Sequence, residues 1–582
     1  MKIIFFSSHS ATWYYTFAEA VLANALQKKG YEVLFITPGN QLPRISNLLH
    51  EKILREKFNL KGYEIDKKLT SKDYKQINLI LKNLNKNNFE KLKIKNILIG
   101  KISLYEFLLH HKKVSLNLSN SEWKECLLEI KDTLISLFSA QLIIDQEKPD
   151  RILMYSSLYS VNHVWKKYAE HKKIPVYFIH HGMNFSDMDN KLIIAKKNSF
   201  HYVKNLKKYW SKLNKVPISI AEAKYVTNNF LELLKAKHFL IYSTPKSKES
   251  LSIRKIFNIN KDQKILVATM SSYDELFAAQ YVGAWKMPKK IMFPTQIDWI
   301  KELIKYAKEK QNLFLIIRVH PREFPNKRES RKSEHAKILE KIFKTLPKNV
   351  KINWPYDNIS IYDLAKETDV FLNAWSTVGV EASLLGIPVV LYSKELVLYP
   401  SELNTVGKNK KDYFNKIELA LKKGWNYKKI KETYRWLSLY YYHTTIRFRK
   451  KMANQNKLIT SKTFFNISNY FYNLLSPKIR SFFSNNFSNV GWLKIGERQR
   501  TDCELQLKER VDISEVEKML IESRDTLIDM KKISKNKITS KEEDIFIRNE
   551  LKRIYKALYN GDNETTKIKK NSLQYNLKRV IS

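Results

Sequence analysis

Three short stretches of this chain carry side chains suited to holding and moving charged groups. The segment IIRVHPRE places Arg318, His320 and Pro321 at the carboxyl end of an apolar run. The segment STVGVEASLLGIPVV places Ser376 and Thr377 just after a second apolar run, at the start of a helical pattern that carries Glu381. Hydroxyls and free backbone N–H groups at such a helix start suit a phosphate, and a neighbouring Arg and His would add charge-assisted hydrogen bonds to it. Glu381, one turn into the helix, suits ribose hydroxyls. The loop SSYDE, with Ser271, Ser272, Asp274 and Glu275, follows a third run and is expected to face the same ligand, although a Ser pair there also suits a helix cap. The third stretch, IHHGMNFSD, ends a strand pattern with His180, His181 and Gly182. Imidazole titrates near neutrality, so a His at a strand end is a candidate general base. Side chains alternate along a strand, so only one of the pair can face a cleft; His181 is the expected base and Asp187 its reserve. His9, in the loop after the first apolar run, is expected to shape an acceptor site or a polar turn.

The elements that must position these residues read as alternating strands and helices. KIIFF, the helical AEAVLANALQKKG with its Gly30 stop, and YEVLFITPG form a β-α-β unit, which calls for a parallel sheet. Residues 45–145 read as a helical, Lys/Asn-rich insertion. DRILMYSS, VNHVWKKYAEHKK and IPVYFIHHG repeat the β-α-β step. A second series starts near residue 264 and runs through KILVATMSS, LFLIIRVHP, VKINWP and the pattern around Ser376. The expected fold is therefore α/β: two Rossmann-like, doubly wound domains with a cleft between them, and ligands beyond the carboxyl ends of the strands. The expected units are 1–250, with the insertion inside it; 251–440, holding the nucleotide site; a basic aromatic helical arm over 441–510; and a charged helical tail over 511–582.

A strand ending in His-Pro, followed later by a Ser-Thr pair that opens a helix, resembles the nucleotide-binding motifs of several bacterial GT-B glycosyltransferases. These include sialyltransferases, capsule Kdo transferases and the glycerophosphotransferases of teichoic-acid synthesis. The resemblance is closest to the broad group of capsule polysaccharide biosynthesis transferases. It spans about residues 1–440 and is strongest over 264–393. It implies a nucleotide-sugar donor whose phosphate meets His320, Ser376 and Thr377, and it sets the SSYDE loop, with Ser271 and Ser272, where such folds place a donor-facing loop. The implied acceptor is a growing, lipid-linked bacterial surface polysaccharide such as capsule or O-antigen. The His-Gly pair is similar to the strand-end motif of the glycerophosphotransferases but lacks its flanking residues. Transfer of a CDP-linked polyol phosphate is the alternative within the same nucleotide cradle.

Composition limits the rest. The 582 residues hold 104 Lys and Arg against 58 Asp and Glu, a formal charge of +46. Such a charge draws polyanions, yet AT-rich codons for Lys, Asn and Ile also produce it. Without any RRM, KH, OB-fold or helix-turn-helix signature, a nucleic-acid partner is the weaker reading and none is expected. No Cys/His cluster or DxD pair calls for a metal, and no cofactor is expected. Two distant cysteines, Cys126 and Cys503, and a first apolar run too short for a signal peptide point to the cytoplasm. From 444 to 500, eleven Lys and Arg stand against one acid, Glu497, with interleaved aromatics. FFNISNYFYNLL and the following Phe482 and Phe483 suggest a helix that lies on an anionic membrane surface, placing the protein at the inner face of the membrane; a closing helical arm is the alternative.

Overall fold

The computed structural model describes residues 1–197, 202–249, 251–286, 288, 291–449, 496–535, 537–560 and 568–582. The first sheet contains β1 (Lys2–Phe6), β2 (Glu32–Ile36), β5 (Arg151–Tyr155), β6 (Val176–His181) and β7 (Lys191–Lys196). A two-stranded hairpin, β3 (Lys93–Ile94) and β4 (Ile97–Leu98), lies within the insertion. The second sheet contains β8 (Lys264–Thr269), β9 (Leu313–Arg318), β10 (Val350–Asn353), β11 (Val370–Asn373), β12 (Val389–Leu391) and β13 (Thr405–Val406). One further strand, β14 (Thr445–Arg447), returns to the edge of the first sheet.

The second sheet is parallel throughout, in the order β10-β9-β8-β11-β12-β13. Counted within its own domain this is 3-2-1-4-5-6, the doubly wound order of dinucleotide-binding sheets. The first sheet runs β14-β7-β6-β5-β1-β2, parallel from β2 to β6 and antiparallel through β7 and β14. Both sheets are covered on both faces. In β1, Ile4 and Phe6 join one apolar cluster while Ile3 and Phe5 join another, so the strand reads as an unbroken apolar run. The fold class expected from the sequence is the one the structure shows.

The insertion is helical as expected, with helices Leu48–Phe58, Ser71–Lys82, Tyr105–His111 and Asn120–Glu147. Its helix Tyr105–His111 packs against Tyr273–Tyr281 of the second domain. One apolar cluster therefore runs from Phe6 and Met154 through Leu108 and Ile135 to Leu276 and Ile317.

One expectation changes in the region after residue 440. The start of the supposed helical arm is a strand, because Thr445–Arg447 pairs with β7. The tail carries the helices Ser514–Ile521, Met530–Ser534, Ser540–Tyr559 and Leu573–Ile581 and packs on both domains. Val516, Met519 and Leu520 pack on the first domain, while Ile547, Leu551, Ile554 and Leu577 join the core around the helix Ile220–Lys235 and the second sheet. The amphipathic stripe containing Phe464, Phe471, Phe482 and Phe483 lies outside the described residues. Among the described residues, no helix is long and apolar enough to cross a membrane.

Candidate functional site

In the second sheet, successive strands lie on one side of β8 up to β10 and then switch to the other side at β11. Loops after β8 and β11 therefore lead away in opposite directions and leave a crevice between them. Side chains fix this point. Thr269 donates to Oδ1 of Asn373 at 2.8 Å, and the N–H of Trp375 donates to the Ser271 hydroxyl at 3.1 Å. The amide of Asn373 holds the carbonyl of Ser376 at 2.9 Å. Gly379 follows because a β-carbon there would lie 1.9 Å from the Tyr399 hydroxyl and 2.5 Å from Asn373 Nδ2.

A cavity of about 390 Å³ opens at this point, within the range of small-ligand sites. His320, Ser376, Thr377 and Glu381 line it together, with Trp375 and Tyr242 beside them. His320 is half-buried, and its Nδ1 accepts the N–H of Arg322 at 3.2 Å. That bond assigns the proton of the neutral ring to Nε2, leaving a donor for a ligand. Burial lowers the pKa of His320 and so favours this neutral form. Ser376 accepts the N–H of Val378 at 3.3 Å, and its own hydrogen makes no bond among the described residues. Thr377 instead donates to Glu381 at 2.7 Å, and Tyr362 donates to the other oxygen of that carboxylate at 2.8 Å. Burial raises the Glu381 pKa, and the two hydroxyls partly offset that rise.

The remaining expected residues are placed differently. Arg318 reaches the cavity wall, but it is 7% exposed, and its Nη1 donates to Asn353 and to the carbonyl of Ile359 at 2.8 Å. It braces β9 against β10. Ser271 and Ser272 are buried and do not line the cavity. Ser271 bonds Gln296 in both directions, and Ser272 donates to Glu275 within the first turn of the next helix. His181 is 2% exposed, stacks on Tyr14 at 3.5 Å between ring centroids, and has no partner for Nδ1. Its pKa is held well below the usual imidazole range by burial. Asp187 pairs with Arg447, accepts from Asn190 at 2.7 Å, and lines a separate cavity. The structure does not bring His181 or Asp187 to the His320 cavity.

Sequence reasoning missed Tyr242 and Arg328, whereas it named His9. Arg328 lies over the Tyr242 ring at 4.4 Å and makes no ion pair among the described residues, so a free guanidinium stands beside the cavity. The first domain has its own switch point, where β5 lies on the far side of β1 from β2. His9 follows β1 there, with Nδ1 2.7 Å from the Ser8 hydroxyl and its ring against Tyr155 and Tyr159. Burial lowers the His9 pKa to about 4, so the ring is neutral at physiological pH. Burial raises the pKa of Tyr159, and the charge of Arg328, among others, partly offsets that rise, so the guanidinium acts at the His9 end of the first sheet as well. Among the described residues, no group of three His, Cys, Asp or Glu side chains could hold a metal ion.

No family model matches the chain, and no curated protein matches it significantly. Solved structures do resemble it. UDP-GlcNAc 2-epimerase of Methanocaldococcus jannaschii, in complex with UDP-GlcNAc and UDP, is 16% identical over 75% of this chain and 99% of its own, with a TM-score of 0.27. The UDP-GlcNAc 2-epimerase of Neisseria meningitidis bound to UDP-GlcNAc is 13% identical over 75% and 94%, with a TM-score of 0.25. The β-Kdo 2,4 transferase KpsC of Thermosulfurimonas dismutans is 13% identical over 50% and 79%, with a TM-score of 0.29. At such low scores the architecture stands on the strand orders themselves.

Proposed function

We propose that this chain is a glycosyltransferase that takes its sugar from a nucleotide-activated donor bound at the β8/β11 switch point. One observation carries the reading: Nε2–H of His320 and the hydroxyl hydrogen of Ser376, both without partners among the described residues, line one cavity at the place where doubly wound sheets bind nucleotides. In the proposed reaction an acceptor hydroxyl attacks the anomeric carbon, and the bond from that carbon to the donor's phosphate oxygen breaks. Charge then grows on the departing phosphate. His320 and Ser376 donate to it, and Arg328 supplies a positive field without needing a metal ion. Glu381 has lone pairs beyond those used by Thr377 and Tyr362 and offers them to the ribose hydroxyls.

The acceptor belongs at the opposite switch point, where neutral His9 is available to take the hydroxyl proton. A growing, lipid-linked surface polysaccharide of capsule or O-antigen type suits a chain whose basic stretch over 444–500 would bring it to the inner face of an anionic membrane. Co-sedimentation with phosphatidylglycerol vesicles tests that location, and protein left in the supernatant at low salt removes it.

The donor is tested by thermal shift in EDTA with CMP-, CDP-, UDP-, GDP- and dTDP-linked ligands. A ligand at a hundredfold excess over its Kd stabilises the folded state by about 2.7 kcal/mol. A shift with CDP-glycerol alone would replace sugar transfer by polyol-phosphate transfer. No shift with any nucleotide would end the proposal.

A further inference from the structure

Lys191 opens β7, and the antiparallel register sets Arg447 of β14 directly across from it. Two cations opposite one another on one face of a sheet repel. Arg447 is offset by Asp187. Lys191 has weaker compensation: Asp187 acts on it only through its field, its ammonium makes no hydrogen bond or ion pair among the described residues, and it lies over the Tyr225 ring at 4.0 Å and the Tyr442 ring at 5.2 Å. The residue is 9% exposed, and burial lowers its pKa to about 8. An ammonium buried against aromatic faces with no direct hydrogen-bond acceptor is costly to keep charged.

Lys191 lines a cavity of about 670 Å³ whose far wall is built by the tail, including Leu527, Lys532 and Ile533. Lys532 is exposed on that wall, and its ammonium makes no hydrogen bond or ion pair among the described residues. The acids around the cavity are already committed. Asp187 holds Arg447, Glu515 pairs with Arg524 and Lys518, and Asp529 accepts the backbone N–H groups of Lys531 and Lys532. The uncompensated charge facing the cavity is therefore positive. The helix Ile220–Lys235 separates this cavity from the donor cavity: Tyr225 and Asn228 face the first, Val226 and Asn229 the second.

We propose that this second cavity binds a sugar-sized ligand carrying an oxyanion, phosphate or carboxylate, with Lys191 and Lys532 as its charge partners and the tail as part of the site. Isothermal titration of the full chain with glucose 1-phosphate, glucuronate and neutral glucose tests it. Binding of either acidic sugar is expected, and the one that binds identifies the oxyanion; glucose is not expected to bind. Lys191→Met should weaken binding about tenfold or more, as loss of a charged hydrogen bond does. His320→Ala, at the other cavity, should leave it unchanged. Acetylation footprinting of the native chain gives a second readout that needs no variant: the bound acid should protect Lys191 but not fully exposed lysines. Absence of binding at millimolar concentration, equal affinity in Lys191→Met, or unprotected Lys191 would overturn the proposal.

Discussion

The ammonium of Lys112, in the insertion of the first domain, donates to the main-chain carbonyl of Arg322 at 2.6 Å, two residues beyond His320 in the second. It also donates to the carbonyl of Arg331 at 2.7 Å and meets Glu329 at 3.1 Å, while Arg322 returns a bond to the carbonyl of Leu109 at 3.2 Å. Lys112 is fully buried. The insertion thus holds the loop that orients the His320 ring.

Lys112→Met should therefore act on both stability and binding. It leaves the carbonyls of Arg322 and Arg331 without their donor, while Glu329 keeps Arg322, a loss of about 1–3 kcal/mol for a buried group left unpaired. Denaturant unfolding should show a lower midpoint. The folded variant should bind nucleotide more weakly, because the Arg322 N–H no longer holds Nδ1 of His320 in place. Unchanged affinity would mean that the loop keeps its shape without the latch.

The Ser-Thr pair should divide unequally. Thr377 already donates to Glu381, whereas the Ser376 hydroxyl keeps its hydrogen for a ligand. Ser376→Ala and His320→Ala should each cost about 1.5–3 kcal/mol of nucleotide binding, and Thr377→Ala less. Titration calorimetry of the three variants, with folding checked by circular dichroism, decides this. Full affinity in both Ser376→Ala and His320→Ala would remove the donor site.

Much of this arrangement is legible in the sequence, and the exceptions have physical reasons. Runs such as KIIFF and LFLIIR are buried on both faces, so both register as strands without any alternating pattern. Gly386, at φ +76°, marks the turn into β12 as its sequence context suggests. The roles of Arg318 and Ser271 are not local properties. The first depends on which strand lies beside β9, the second on where Trp375 falls after β11. β14 is three residues long and pairs with a strand some 250 residues earlier, so no window of sequence reveals it. Tyr242 and Arg328 sit in loops with no periodicity to mark them.

The two histidine positions make opposite predictions for turnover with the donor found by the nucleotide screen. His9→Ala should lower turnover by about 10²–10⁴, the usual effect of losing a general base. His181→Phe keeps the stack on Tyr14 and should retain turnover, because the ring is buried away from the donor cavity. The reverse pattern would return the base to the end of β6.

Glu19 provides a test by pH. Its side chain is 2% exposed, and burial raises its pKa from 4.5 to about 8, against opposing hydrogen bonds from Ser7 and the Tyr155 backbone. The folded chain therefore keeps a proton that the unfolded chain releases between pH 4.5 and 8, so this group makes stability fall as pH rises through that window. Glu19→Gln removes the slope. Its urea midpoint should match that of the parent near pH 5 and exceed it by pH 8, by on the order of 3 kcal/mol. Buried His50 and His163, with pKa values lowered to about 4 and about 3, lose stability as pH falls below 6.5, but equally in both chains. A constant difference between the chains across the range would show that Glu19 is already ionised in the fold.

The pairing of β14 with β7 also bears on the order in which the chain is made. Residues 1–197 leave the ribosome with β7 as an open strand edge, and its cover arrives only once residues 445–447 have been synthesised. An unpaired edge is a template for joining other chains. A fragment ending near residue 250 would carry that edge permanently, so it should self-associate where the full chain does not. The second domain, whose six strands all fall between residues 264 and 406, leaves no strand of its own sheet to be supplied from elsewhere in the chain.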